Sequence, residues 1–323
     1  MQIISALNKI PGGHFKKPII TWGIFDGVHR GHQKIIKEAV NWAKKIKGTS
    51  VILTFRQHPR EILQKGKPLF ITSLEHRLLL FKQLGAAVCL VLPFTKIFSQ
   101  TSAEDFIRHF LLAGLKVVGI VVSSNNRFGR NREGNNRFLK KIVRENKVAL
   151  RIISSVRSQG QIVSSTQIRN LVEKGDLEQA ALMLGRPVSL LGTVVKGSGR
   201  GKKLGFPTAN LDLHHELTPP RGVYASRVKL ACSDHPILRH GKRGCFNALT
   251  NIGVRPTFSK FLAGKIYVET YLLNFNEKKY GRLYGKNLEV EILRKIRDEK
   301  KFATPVELIK QIGKDVNFSR KLY

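Results

Sequence analysis

A strand, a glycine-rich turn and a helix follow one another directly near the start of this chain, and no other feature limits its fold as much. Ile19 to Trp22 is a short apolar run, Gly23-Ile24-Phe25-Asp26-Gly27-Val28-His29-Arg30-Gly31-His32 follows, and Gln33 to Lys45 carries Ile35, Ile36, Ala39, Val40 and Ala43. Those five recur at three-to-four-residue spacing, which puts them on one helical face able to cover a sheet. The alternation continues through Ser50 to Phe55, Leu74 to Leu84, Val88 to Leu92, Ala103 to Leu112 and Val117 to Val122. Strands separated by helices predict an α/β domain with a parallel sheet and crossover helices.

The pattern changes near residue 185. Two helical segments, Gln167 to Lys174 and Leu177 to Leu184, are separated by Gly175, with Asp176 as the expected N-cap of the second and Gly185 and Pro187 closing it. Beyond them, short alternating runs at Leu190 to Val195, Val223 to Leu230, Phe246 to Ile252, Ile266 to Leu273 and Leu288 to Ile292 predict a mostly antiparallel β-barrel or sandwich. Thr304 and Pro305 then open a C-terminal helix whose expected apolar face is Leu308, Ile309 and Ile312. The expected boundary lies near Arg186, giving domains 1–185 and 186–323.

With 323 residues and 42% hydrophobic composition, two cores can be buried. No apolar run approaches the ~18 to 20 residues needed to span a bilayer, and the start lacks an apolar signal core, so a soluble cytoplasmic protein is expected. Cys89, Cys232 and Cys245 stand far apart, which indicates neither a zinc site nor a disulfide framework. Fifty-seven Lys and Arg against 22 Asp and Glu give a net charge of +35. Such a charge attracts nucleic acid, anionic membranes or polyphosphate substrates, but here it is spread over both halves, as a solvated surface would be.

Two constellations carry chemistry. In the first, Gly27 and Gly31 permit close backbone approach to phosphate, the helix start offers amides, and His29 and His32 can hydrogen-bond anionic oxygens of a nucleotide. Ser164-Ser165-Thr166-Gln167-Ile168-Arg169 introduces another helix with hydroxyls, amides and a guanidinium suited to phosphate. The second is Gly197-Ser198-Gly199-Arg200-Gly201-Lys202-Lys203-Leu204-Gly205-Phe206-Pro207-Thr208-Ala209-Asn210. It is neither a Walker A loop nor a Rossmann fingerprint, and no helix is expected to start on it. Its glycines allow a loop around phosphate, and Thr208 and Asn210 offer oxygens one strand repeat apart, which suit Mg²⁺ bound jointly with phosphate. In Ile266 to Leu273, Tyr267, Glu269 and Tyr271 share one face and Ile266, Val268, Thr270 and Leu272 the other, so Glu269 can face a cleft.

The first half resembles the FMN adenylyltransferase module of the prokaryotic bifunctional riboflavin kinase and FAD synthetase family. The resemblance rests on GIFDGVHRGH, TFRQHP, Pro93-Phe94, the RFG at Arg127 to Gly129, and SSTQIR. The second half resembles riboflavin kinase through GRGKKLGFPTAN, GVYA at Gly222 to Ala225, NIGVRPTF at Asn251 to Phe258, VETYLL at Val268 to Leu273 and LYGK at Leu283 to Lys286. It implies a nucleotidyltransferase-like domain followed by a riboflavin kinase-like barrel, with ATP, riboflavin, FMN and Mg²⁺ as small-molecule partners.

By the resemblance, His29, His32 and Arg169 act on the triphosphate with Ser165 and Thr166, and Gly23, Phe25, Asp26, Gly27 and Gly31 line the same ATP site. Gly197, Gly199, Gly201, Lys203, Gly205 and Pro207 line the other ATP site, Thr208 and Asn210 hold the metal, and Glu269 is the general base. Asn125 and Arg297 are the implied flavin contacts. Ser123 and Asn126 stand where the family pattern has Gly and Phe, and Gln57 stands where it has Pro. Alternatives are therefore a kinase with a weakened or altered first site, and an RNA-binding protein suited to the charge.

Overall fold

The computed structural model describes residues 1–5, 15–57, 69–214, 216–230, 244–254 and 266–322, which form two compact units. His58 and Pro59 of TFRQHP, Arg255 to Phe258 of NIGVRPTF, and Cys232 lie outside the described residues.

The first unit contains Met1–Phe70 and Leu74–Ser165. Its strands β1 (Gln2–Ile4), β2 (Ile19–Trp22), β3 (Ser50–Phe55), β4 (Val88–Leu92) and β5 (Gly119–Ser123), with β8 (Ala149–Ile153), make a six-stranded sheet ordered β1-β4-β3-β2-β5-β8. Every pairing in it is parallel, as the alternation of strand and helix predicts. Between β5 and β8 stands the short pair β6 (Arg127–Phe128) and β7 (Gly134–Asn135).

Every residue of β3 and β4 is buried, because helices cover both faces of the sheet. On one face, α1 (Arg30–Lys45) and α2 (Leu74–Gln83) pack Ile36, Val40, Leu80 and Phe81 against Ile52, Cys89 and Val91. The π-helical segment Phe106–Gly114 and α3 (Asn136–Glu145) cover the other with Phe106, Ile107, Leu111, Leu139 and Ile142. Burial pushes the Cys89 thiol up to about 12.

The chain runs outward from β2 through β3 to β4, then returns to place β5 on the other side of β2. The direction of winding thus reverses between β2 and β5. In open parallel sheets, ligands bind in the crevice at the carboxyl ends of the strands flanking such a reversal. Gly23 to His32 and Ser123 to Asn126 are the segments that leave those two strand ends.

The second unit comprises Ile71–Ser73 and Thr166–Tyr323. Helix α4 (Ser165–Lys174) begins at the division, and α5 (Leu177–Leu184) follows, capped by Asp176 at its start and by left-handed Gly185 at its end, as expected. Then β11 (Val188–Val195), β12 (Ala209–Leu213), β13 (Gly222–Leu230), β14 (Cys245–Val254), β15 (Ile266–Leu272) and β16 (Asn287–Arg297) close an antiparallel barrel ordered β11-β12-β15-β14-β13-β16. The small pair β9 (Arg157–Ser158) and β10 (Gln161–Ile162) belongs to the first unit.

Arg186 is half-buried at the entry to β11, where desolvation of its guanidinium lowers its pKa and the carboxylates of Glu289, Glu216 and Glu291 oppose that shift. Glu216 accepts hydrogen bonds from the amides of Leu191 and Ser73. Inside the barrel the hydroxyls of Ser226, Thr250 and Thr270, all fully buried, bond in series. The hydroxyls satisfy one another, so these polar groups carry little desolvation penalty.

The C-terminal helix α6 (Pro305–Arg320) starts at Thr304, whose hydroxyl accepts from the Glu307 amide. Its packed face departs from the expected one. Leu308 and Ile312 are partly covered and Val316 is buried with Val223, Leu249 and Leu273, whereas Ile309 is exposed. The contact row runs in steps of four from Leu308 and leaves Ile309 one position, about 100°, out of line.

Candidate active sites

In the first unit, His29 caps α1: its Nδ1 accepts from the amide of His32 at 3.4 Å. The acceptor role fixes the proton of neutral His29 on Nε2. The two imidazoles stack with centroids 3.5 Å apart, and Phe25 meets the His32 ring edge-on at 5.2 Å. A Cβ on Gly31 would lie 3.2 Å from the His29 ring, tight enough that the imidazole would have to give by a few tenths of an ångström. Burial, then His29 and then Arg77 hold the His32 pKa well below the ordinary imidazole value, so His32 is neutral in the free protein. Neutral His32, stacked on His29, can donate to anionic oxygens while polyphosphate charge draws a proton onto the ring.

Phe25, Asp26 and Gly27 are buried in the turn before the pair, and Gly23 packs under the Phe25 ring. Ser165 donates its hydroxyl to the Asp26 carbonyl at 2.9 Å, and Gln33 donates to the Val28 carbonyl at 2.9 Å. The Ser165 hydroxyl thus holds the loop itself. Thr166, exposed, and Arg169, half-buried, lie in the first turns of α4.

At the end of β5, Asn125 is exposed beside a turn closed by the Asn126 amide on Ser123. The Asn136 amide donates to the carbonyls of Ser123 and Ser124. Phe128 of the RFG segment enters an aromatic cluster with Trp22 and Phe106. Gly129 has φ 75°, and a Cβ there would meet the Ala103 backbone at 2.6 Å. Gln57 has its own partner: its Oε1 accepts from the Phe94 amide at 3.1 Å, tying the end of β3 to Pro93-Phe94. Sequence reading missed this cluster; the spacing of Trp22, Phe98, Phe106 and Phe128 has no single period, so only the fold gathers them.

In the second unit, the basic loop and the three side chains singled out beside it come together. A Cβ on Gly197 would sit 2.1 Å from Asn210 Nδ2, and one on Gly201 would sit 2.5 Å from the Phe206 carbonyl and 3.1 Å from Thr208 Oγ1. The loop backbone therefore lies directly on Thr208 and Asn210. Gly199 and Gly205 take φ 71° and 85°, which explains two more glycines. Contrary to expectation, one helical turn, Arg200–Lys203, sits within the loop, closed by the amide of Phe206 on the Gly201 carbonyl. Pro207 and Lys203 are exposed on it.

Barrel register sets Glu269 between two amides, opposite Asn210 on β12 and Asn251 on β14. Tyr267, two residues before it on the same face, accepts from Asn251 at 3.3 Å and donates to Glu299 at 3.2 Å. Burial first, and then Glu299 and Glu269, push the Tyr267 hydroxyl up to about 12, which keeps it a donor. A Cβ on Gly253 would overlap the Glu299 carboxylate and lie 2.8 Å from the Tyr267 hydroxyl, so those side-chain ends would have to shift. Arg297 stands at the far end of Glu269's cross-strand row, through Val223 and Asn251, and its guanidinium forks onto Asp315 of α6 at 2.8 to 3.2 Å. The oxygens of Thr208 and Asn210 beneath the glycine loop form a hard-donor set that fits Mg²⁺ carried in with phosphate. Among the described residues, no helix is long and apolar enough to cross a membrane.

Comparison with known proteins covers both units. The FAD synthetase family profile matches residues 13–167 and the riboflavin kinase profile matches residues 184–323. The chain is 33% identical over 306 residues to the bifunctional riboflavin kinase/FMN adenylyltransferase of Buchnera aphidicola subsp. Schizaphis graminum, covering 94% of this chain and 93% of the relative. It is 32% identical to the protein of that name from Bacillus subtilis, covering 93% and 90%. A crystal structure from Streptococcus pneumoniae, titled as a macrolide-efflux protein, superposes with TM-score 0.79 at 26% identity over 99% of both chains.

Proposed function

The chain belongs to the bifunctional riboflavin kinase/FMN adenylyltransferase family, and from that premise we propose how its residues divide the work. It phosphorylates riboflavin to FMN with ATP and adenylylates FMN to FAD with release of pyrophosphate. Residues 186–323 carry the kinase and residues 1–185 the adenylyltransferase, a functional division supported by the kinase profile beginning at residue 184.

In the kinase, Glu269 takes the proton of the ribityl 5′-hydroxyl as that oxygen attacks the γ-phosphorus and ADP leaves. Asn210 and Asn251, opposite it in register, keep the carboxylate in place. The loop from Gly197 through Gly199, Gly201 and Gly205, with Lys203 and Pro207, wraps the ATP phosphates. Thr208 and Asn210 would hold Mg²⁺, which when bound neutralises polyphosphate charge. Arg297, oriented by Asp315, contacts the flavin.

In the adenylyltransferase, the FMN phosphate attacks the α-phosphorus of ATP and pyrophosphate departs, so no covalent enzyme intermediate is needed. His29 and His32 donate to the oxygens that gain charge there. Gly23, Phe25, Asp26, Gly27 and Gly31 shape the loop against the nucleotide. Thr166 and Arg169 hold the outer phosphates, with the α4 start at Ser165, and Asn125 offers the flavin a polar contact. The reading includes a cytoplasmic location; no helix among the described residues is long and apolar enough to cross a membrane.

The observation that carries the two-site reading is that each unit has its own phosphate-type loop beside its own chemistry-bearing side chains, the stacked His29 and His32 in one and Glu269 in the other. A time course with riboflavin and Mg-ATP, resolved by chromatography, tests it. FMN appearing first and FAD after it is the expected result. FMN that accumulates without FAD supports the second reading, a kinase with an altered first site, which is favoured by Asn126, whose buried Nδ2 has no hydrogen-bond partner among the described residues.

A further inference from the structure

The turn between β2 and α1 is held in a conformation its residues avoid. Phe25 and Val28 are left-handed at φ 54° and 40°, and Gly27 stands at φ 78°. Only glycine enters this region without penalty, so the rest of the fold must impose it on Phe25 and Val28. The restraint is visible in the carbonyls. Ser165 holds that of Asp26, Gln33 that of Val28, and the Val28 amide that of Phe25.

The Ile24 carbonyl, where the turn begins, is held by Arg77. Its Nη1 donates to Ile24 O at 2.6 Å and to Thr54 Oγ1 at 3.0 Å, while Nη2 donates to Phe55 O at 3.3 Å. Thr54 adds its own hydroxyl to Ile24 O at 3.3 Å. Arg77 is fully buried on α2, with its guanidinium 5.2 Å from the Phe70 ring. Burial disfavours its charge, and Asp26, Cys89 and Glu75 favour it. One planar fork therefore joins the end of β3 to the start of the turn, which a single ammonium cannot do. A carbonyl held this way cannot swing toward an incoming phosphate and repel it.

We propose that Arg77 is a positioning residue for adenylyl transfer, clamping the strained turn so that its backbone and the histidine pair are preset for the triphosphate. It touches no substrate and acts through Ile24 and Asp26. The inference rests on the adenylyltransferase reading of the first unit.

The test uses the full chain with Arg77→Met and Arg77→Lys, measuring kcat and KM for FAD formation from FMN and Mg-ATP, with riboflavin phosphorylation as internal control. Displacing a preset site by about 1 Å can cost ~100-fold in rate. Arg77→Met is expected to lose about that factor in kcat, with the KM for FMN little changed and kinase turnover at the parent level. Arg77→Lys, which can still reach Ile24 O, is expected to recover part of the loss.

Parent-level kcat for FAD formation in folded Arg77→Met overturns the proposal, as does a loss shared equally by both activities. If Arg77→Met does not fold, Arg77→Lys decides alone, with parent-level kcat again overturning it. A parent chain that makes no FAD removes the adenylyltransferase reading and this inference with it. A parent that makes FAD beside an unimpaired variant removes this inference only.

Discussion

Single residues here act through the register and burial that surround them. Glu269 is set opposite Asn210 and Asn251 by strand pairing, so Glu269→Gln keeps shape and alternation while removing the basic carboxylate. Riboflavin phosphorylation should fall by on the order of a hundredfold to ten-thousandfold under chemistry-limited conditions, while supplied FMN is still converted to FAD. A Gln variant that phosphorylates riboflavin near the parent rate would return Glu269 to a positioning role.

His32 makes a prediction about stability. Its folded pKa is depressed, chiefly by burial, so below about pH 6.5 the unfolded chain binds a proton that the folded one refuses. Stability is thus complete above that pH and is lost as pH falls toward the folded value, by up to about 1.4 kcal/mol per pH unit. Urea unfolding at pH 7.5, 6.5 and 5.5 should show this slope, and His32→Gln should flatten it. Equal slopes for parent and variant would show that other groups govern the acid response.

Elements place these residues, and glycines decide how closely elements approach. The loop after β11 lies on β12 because Gly197 leaves room for the Asn210 amide. Gly197→Ala puts a methyl where that amide sits, displacing Asn210 and with it the oxygen proposed for Mg²⁺. Kinase turnover should drop by up to about a hundredfold and need more Mg²⁺ for half-saturation, while FAD formation from FMN is unchanged. An unaltered Mg²⁺ requirement would separate Asn210 from metal binding. Helix α6 shows the limit of reading an element by itself: Leu308, Ile309 and Ile312 fit one apolar stripe, yet the barrel surface accepts the row through Leu308, Ile312 and Val316.

At the scale of the whole molecule, the chain forms two compact units, and the division of labour proposed above makes the two reactions independent. Replacing His29 and His32 together by Ala should abolish FAD formation and spare riboflavin phosphorylation, read from the products formed with riboflavin and Mg-ATP. Loss of both activities in a folded variant would contradict that independence. The parallel sheet and an antiparallel β-domain with a terminal helix were legible in the sequence, because apolar period is a local property that fixes which face is buried, whereas period alone left barrel and sandwich open. Strand order was not legible, nor was the reversal between β2 and β5 that brings two distant loops to one crevice, since pairing between strands far apart in the chain leaves no periodic trace. The same holds for Arg77: a basic residue on a helix predicts a solvated surface. Only the assembled sheet, which puts the carbonyls of Ile24 and Phe55 within reach of one buried guanidinium, turns it into a clamp.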